Sequence, residues 1–190
     1  MLKTLSPAAR ELLRDFVNRN IHPAEGYRTK SGLIVPPIQG GAVTASGLYF
    51  PTWRDILDTT QLAIDLDLET HKIALFTNTI TPNFSSDTAY GVAPYNANEV
   101  SGTGWAAGGV VLTTTIVDES PTGTLRWDAD NVSETGTTLT NARFGLIYAD
   151  ALAGNNAIVG INFGSDYSTV SGTMAINFAS GGILTIDLTP

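Results

Sequence analysis

The sequence predicts a mainly β protein: an antiparallel β-sandwich or jelly-roll-like domain preceded by an N-terminal helix and an extended arm. Three observations carry this expectation. Beyond residue 60 the chain is rich in Val, Ile, Thr and aromatic residues, broken at short intervals by Asn, Asp, Ser and Gly, the pattern of short strands joined by turns. Helical spacing of apolar residues is missing after residue 60, and no helix-length segment separates the strand candidates, which argues against parallel βαβ units. Between these regions proline and glycine interrupt every regular pattern.

The helix is placed first, over residues 1–19. Ser6 followed by Pro7 is a good start, because a side-chain oxygen can accept from an orphan amide and the fixed φ of proline suits the first turn. Leu5, Ala9, Leu12, Leu13, Phe16 and Val17 then recur at three- and four-residue spacing, leaving Arg10, Glu11, Arg14 and Asp15 for the other face. Such an amphipathic helix needs a partner.

Residues 20–60 read as an extended arm with a short helix near 53–58, after a Thr52 cap. His22-Pro23, Val35-Pro36-Pro37, Gly40-Gly41, Ser46-Gly47 and Phe50-Pro51 break regular structure along it. A run of this length inside a compact domain is unusual, and this one is too apolar for a solvated linker. The expected interface residues are therefore Leu12 and Phe16 of the helix and Leu33, Ile34, Val35, Ile38, Leu48, Tyr49, Phe50 and Trp53 of the arm, buried against an oligomeric neighbour.

Residues 61–190 form the β domain. Ile64-Asp65-Leu66-Asp67-Leu68-Glu69 alternates with period two and predicts a first strand. Further strands are expected over 72–78, 109–118, 123–128, 140–149, 157–163, 172–178 and 182–188. Within the 157–163 segment Val159, Ile161 and Phe163 should face the core, with Ile158, Gly160 and Asn162 on the other side.

Composition narrows the function. Cysteine is absent from the 190 residues, which removes disulfides, thiolate metal sites and cysteine nucleophiles. No apolar run approaches the roughly 18 to 20 residues needed to span a bilayer, and the first residues do not resemble a secretion signal. The net charge of -8 is divided unevenly. Residues 1–60 hold seven Lys/Arg against five Asp/Glu, and residues 61–190 hold three against thirteen. An acidic body repels phosphate backbones, so nucleic-acid binding is disfavoured.

Candidate chemistry is sparse. Asp65, Asp67 and Glu69 alternate so as to project three carboxylates from one face, an arrangement able to attract calcium, but they lack the glycine and distal glutamate of an EF-hand loop and read first as the wet side of a strand, with calcium the minor option. Asp128, Asp130 and Asn131 are ordinary turn formers. His22 precedes a proline, and His71 falls in an expected hairpin turn. The nucleophile-elbow, zinc-helix and phosphate-loop motifs are missing, and no acid pair stands out for a hydrolase. Gly102-Thr103-Gly104-Trp105-Ala106-Ala107-Gly108-Gly109 reads as a loop entering a strand at Val110, since no helix follows to cradle a phosphate. Trp105, Tyr90 and Tyr95 lie in a Gly- and Asn-rich segment, where aromatics either stack on sugars or pack against their own domain. No catalytic, cofactor or metal site is expected.

Several segments carry a resemblance. Ile64-Asp65-Leu66-Asp67 with Lys72-Ile73-Ala74-Leu75-Phe76-Thr77 comes first, followed by Tyr95 and Glu99-Val100-Ser101 running into the glycine loop. Trp127-Asp128-Ala129-Asp130-Asn131-Val132, Ala142-Arg143-Phe144-Gly145-Leu146-Ile147-Tyr148 and Gly160-Ile161-Asn162-Phe163-Gly164-Ser165-Asp166 continue in order. In these segments the chain resembles a family of small tailed-phage virion proteins encoded among head and tail structural genes. The likeness runs from Ile64 to Asp187 and leaves residues 1–60 outside it.

The resemblance implies a non-enzymatic capsid decoration or minor capsid protein at the particle surface, made in the host cytoplasm. Its expected partners are the major capsid protein or other virion proteins, reached through the arm, and further copies of itself in a trimer or other cyclic oligomer. A minor tail or adsorption protein binding host-surface glycan through Trp105, Tyr90 and Tyr95 is the alternative. Neither reading involves a membrane, a nucleic acid or a cofactor.

Overall fold

The computed structural model describes residues 42–67 and 70–188, together with the backbone of two short upstream strands. The chain divides into two compact units, Met1–Gly41 and Ala42–Pro190. In the first, β1 (Tyr27–Arg28) pairs antiparallel with β2 (Ile34–Val35), Tyr27 opposite Val35. The expected N-terminal helix with Leu12 and Phe16, and the side chains of Leu33, Ile34, Val35 and Ile38, lie outside the described residues.

The second unit is mainly β with antiparallel sheets, as the sequence predicts. Its first described elements are β3 (Gly47–Leu48), α1 (Phe50–Leu57) and β4 (His71–Phe76). Next come β5 (Glu99–Val100), β6 (Val110–Val111), β7 (Ile116–Glu119) and β8 (Thr124–Asp128). The chain then runs through β9 (Val132–Ala149), β10 (Ala157–Ile176) and β11 (Leu184–Asp187). One sheet is ordered β3-β10-β9-β4-β5, with β6 also on β4; the other is ordered β11-β8-β7.

The large sheet is buried on both faces around β4, the second half of β9 and the start of β10. Ile73 and Leu75 of β4, with Ile147 and Ala149 of β9, point into one cluster, which Trp127 of β8 and the loop residues Trp105 and Leu112 complete. Ala74 and Phe76 of β4, with Phe144, Leu146 and Tyr148 of β9, point into a second cluster beneath Tyr49, Ile80 and Tyr95. A strand covered on both sides reads as a continuous apolar run, as Ile73-Ala74-Leu75-Phe76 does. The same geometry revises the expectation for 157–163. Ile158 and Gly160 are as buried as Val159, and a Cβ on Gly160 would stand 2.5 Å from the Phe144 ring and 2.7 Å from that of Phe84. Glycine is needed there because two aromatic rings occupy the space above the strand.

β9 and β10 form one long hairpin, paired from Ala157 opposite Tyr148 to Ile176 opposite Val132. The segments expected separately at 157–163 and 172–178 are thus one strand, interrupted by bulges between Asn162 and Gly172. Gly164 takes φ +77° and its amide bonds the Asn162 side chain at 2.9 Å. The strand therefore kinks through a sequence that otherwise reads as a turn. The expected strand at 109–118 is instead divided into β6 and β7 by Leu112–Thr115.

Two more expectations change. The alternation from Ile64 does not make a strand: Leu66–Asp67 is a turn. The Trp127 indole donates to the Leu66 carbonyl at 2.8 Å and the Thr115 hydroxyl to the Asp67 carbonyl at 2.9 Å. The His71 ring nitrogen lies 3.0 Å from the Asp65 carbonyl. Side chains meet the carbonyls that a neighbouring strand would have used. The compact unit also starts at Ala42, so residues 42–60, expected in the arm, supply Val43, Tyr49 and Thr52 to its interior. α1 begins at Phe50, with Pro51 in its first turn and Tyr49 as its cap residue. Thr52 is not the cap; its hydroxyl donates to the Ala157 carbonyl at 2.6 Å and ties the helix to β10.

Candidate functional site

The residues with chemical potential are first accounted for by the fold. His71, expected in a turn, is fully buried at the start of β4 with its ring edge-on to Trp127, centroids 5.5 Å apart. Asp130 accepts from the Thr114 hydroxyl at 2.6 Å, Asn131 accepts the Phe178 amide at 2.8 Å, and Asp128 caps the Ala129 amide at 2.9 Å. These are the turn-forming roles their residue types predict. Asp65 accepts the Asp67 amide at 3.3 Å, and a side-chain hydrogen bond shared with Asp65 raises the Asp67 carboxyl above its ordinary value. Glu69 lies outside the described residues. Among the described residues, no group of three or more His, Cys, Asp or Glu is arranged to hold a metal. No helix among them is long and apolar enough to cross a membrane.

The glycine-rich loop anchors a tryptophan. Gly102 and Trp105 exchange backbone hydrogen bonds at 2.8 and 3.1 Å, and the Thr138 amide donates to the Thr103 carbonyl at 3.0 Å, pinning the loop to β9. Gly109 has φ +79°, and a Cβ there would lie 1.9 Å from the Ile73 carbonyl oxygen. Glycine lets the loop backbone lie directly on β4, which drives Trp105 into the core at 1% exposure.

A polar cluster fastens the other end of this loop. Glu99 accepts the Gly108 amide at 2.6 Å and the Tyr90 hydroxyl at 2.9 Å. The Tyr148 hydroxyl donates to the Gly108 carbonyl at 2.8 Å, and its ring stacks on Tyr90 at 4.5 Å. Asp150 pairs with Lys72 at 2.9 Å. Burial, then the hydrogen bond to Glu99, pushes the Tyr90 hydroxyl up to about 12; burial, then the charge of Asp150, raises Tyr148 further. Charge-assisted bonds of this kind hold the loop in place.

Tyr95 is also in the core, at 2% exposure, stacked on Phe144 and hydrogen-bonded through its hydroxyl to Tyr49. Trp105 and Tyr95 are therefore closed to a sugar, and of the three aromatics expected on a glycan platform Tyr90 alone is half-buried. The sequence signal that distinguishes this case is the set of glycines bracketing Trp105, which permits close approach to the sheet.

The expected interface residues separate in the same way. Tyr49 is fully buried, with its hydroxyl bonded to Tyr95, so it belongs to the core. Trp53 is half-buried and donates to the Ile158 carbonyl at 3.2 Å. Leu48 and Phe50 remain exposed, Phe50 at 58%.

Sequence reasoning missed an apolar groove along β10. β3 covers β10 only at Val159 and Gly160. Beyond this contact lie two adjoining hollows of about 390 and 250 Å³, sharing Ile161, Asn177 and Phe178. Ser46–Leu48 and Gly182–Ile183 wall the first; Phe163, Tyr167, Met174 and Ile176 wall the second. Comparison with protein-family models, curated proteins and solved structures finds no match to this chain.

Proposed function

We propose that the protein is a non-enzymatic structural component of a tailed-phage particle, a capsid decoration or minor capsid protein attached through its N-terminal segment to the major capsid protein or a neighbouring virion protein. The observation that carries this reading is the use the body makes of the segments resembling phage virion proteins. Glu99–Gly109 plugs the core with Trp105, Trp127–Val132 links the two sheets, and Ala142–Tyr148 lies at the centre of the large sheet. Their polar groups hold neighbouring chain in place: Glu99 accepts a backbone amide, Trp127 donates to a backbone carbonyl, and Asp130 accepts two threonine hydroxyls. Such a body suits a rigid block whose binding energy resides in an attached apolar segment.

The test is a particle-incorporation assay with a chain lacking residues 1–41, retaining residues 42–60 because Val43, Tyr49 and Thr52 belong to the core. The expected result is a folded protein that no longer joins particles, with the full chain located on the shell lattice by cryo-electron microscopy. Undiminished incorporation of the shortened chain overturns the tether role; density confined to the tail overturns the head assignment.

A further inference from the structure

The body begins with a clamp. Val43 is 3% exposed and packs in the cluster of Phe76 and Phe144. Its amide donates to the Asn78 side chain at 2.9 Å, and its carbonyl accepts from the Asn162 side chain at 3.4 Å. Asn162 stands opposite Phe144, which stands opposite Phe76, and Asn78 lies two residues past Phe76. The two side chains therefore reach Val43 from the strands on either side of β9. The Asn162 backbone amide also donates to the Ser46 hydroxyl at 2.8 Å.

Between this clamp and Tyr49, which is fully buried with its hydroxyl on Tyr95, the chain is held lightly. Only Gly47 and Leu48 join the β10 ladder, and Leu48 stays exposed. Among the described residues, no ion pair ties this stretch to the sheet: the nearest cation, Arg54, pairs with Asp55 and Asp58 of its own segment. A stretch with so few backbone bonds opens without unfolding its neighbours unless its ends are fixed. Yet it covers the start of the long outer strand β10, whose backbone groups, once bare, are a template for strands of other chains. Ser46–Leu48 also wall the first hollow of the groove.

We infer that Val43–Leu48 is a releasable strap, latched at its leading end by Asn78 and Asn162, that keeps the Val159–Gly160 edge of β10 closed to other copies of this chain. The latch uses side-chain amides where a longer β3 would have used ladder bonds, so two residues decide whether the edge is covered. The strap lies wholly within the Ala42–Pro190 unit, and its action does not depend on attachment to a particle.

The test is amide hydrogen exchange, resolved by residue, on two full-length variants. Asn78→Ala removes the acceptor of the Val43 amide. Asn162→Asp removes the donor to the Val43 carbonyl and keeps the carbonyl-type oxygen that the Gly164 amide uses. The Tyr49 amide, which donates to the Ile158 carbonyl at 3.2 Å and touches neither substituted side chain, reports opening of the strap. Its exchange should rise about tenfold or more in each variant, while the amides of Ile73–Phe76 in β4 change by less than about twofold. The double variant should also gain mass by light scattering relative to the unsubstituted protein. Unchanged exchange at Tyr49, or an equal rise in β4, overturns the strap. Faster exchange at Tyr49 with no gain in mass overturns its role in guarding the edge.

Discussion

Two buried tryptophans undergo the same substitution with different consequences. Trp105 and Trp127 are 1% and 0% exposed and contribute to one core cluster. The Trp127 indole nitrogen donates to the Leu66 carbonyl at 2.8 Å, whereas that of Trp105 has no acceptor among the described residues. Replacing either with Phe removes the same atoms and leaves a comparable void, at about 1–2 kcal/mol. At Trp127 the orphaned Leu66 carbonyl adds about 1–2 kcal/mol; at Trp105 the loss of an unpaired buried N–H gives back about 1 kcal/mol. Trp127→Phe should therefore be the costlier by about 2 kcal/mol, or about 1 M in the urea midpoint at a slope of about 2 kcal/mol/M. Equilibrium urea unfolding followed by circular dichroism measures the difference, with equal slopes required for the comparison. A Trp105→Phe variant as destabilised as Trp127→Phe, or more so, refutes the reasoning that the hydrogen bond separates the two sites.

Gly109→Ala should abolish folding or cost at least about 4 kcal/mol, because its Cβ meets a backbone carbonyl and φ is positive. Gly136→Ala, with φ +67° but open space around it, should cost only about 1 kcal/mol in thermal unfolding. Similar losses at the two positions would show that strain in φ, not contact with β4, governs the loop. The body should also lose stability in alkali. Tyr90 is raised from 10 to about 12, so its contribution is complete below pH 10 and disappears as pH rises through about 12, where ionisation favours the unfolded chain. Stability measured across this window should fall less steeply in Tyr90→Phe; an unchanged slope would remove Tyr90 as a cause.

The strands that could be read from sequence are short and bounded by turn formers: β8 and β11 fall within their expected ranges, and β4 starts one residue before its own. β9 starts eight residues earlier than expected, because Ser133-Glu134-Thr135-Gly136-Thr137-Thr138 shows no apolar alternation. Its signal is tertiary: Thr137 is buried by a hydroxyl bond to Thr169, across the hairpin, at 2.9 Å. The Ile64–Glu69 alternation misleads for the opposite reason, since local period two says nothing about whether a partner strand exists. Aromatics in glycine-rich loops are equally silent about direction: Trp105 points inward because β4 and β9 accept its loop backbone, and Tyr95 because its ring packs on Phe76 and Phe144. The groove had no local signature at all. It exists because β3, at two residues, is far shorter than β10, at twenty.

The pairing of β3 with β10 also sets an order of events during synthesis. Gly47 and Leu48 meet Gly160 and Val159, so the edge of the sheet made first must wait for more than one hundred residues before its partner leaves the ribosome. The β9–β10 hairpin closes over a short connection and can form at once, while β4 must hold its place until that hairpin arrives. Contacts of such long sequence separation slow the search for the native state. Residues 42–60, and with them Tyr49 and Thr52, are thus secured among the last steps. Until translation has passed β10, the β3 edge of the large sheet therefore stays without its partner strand.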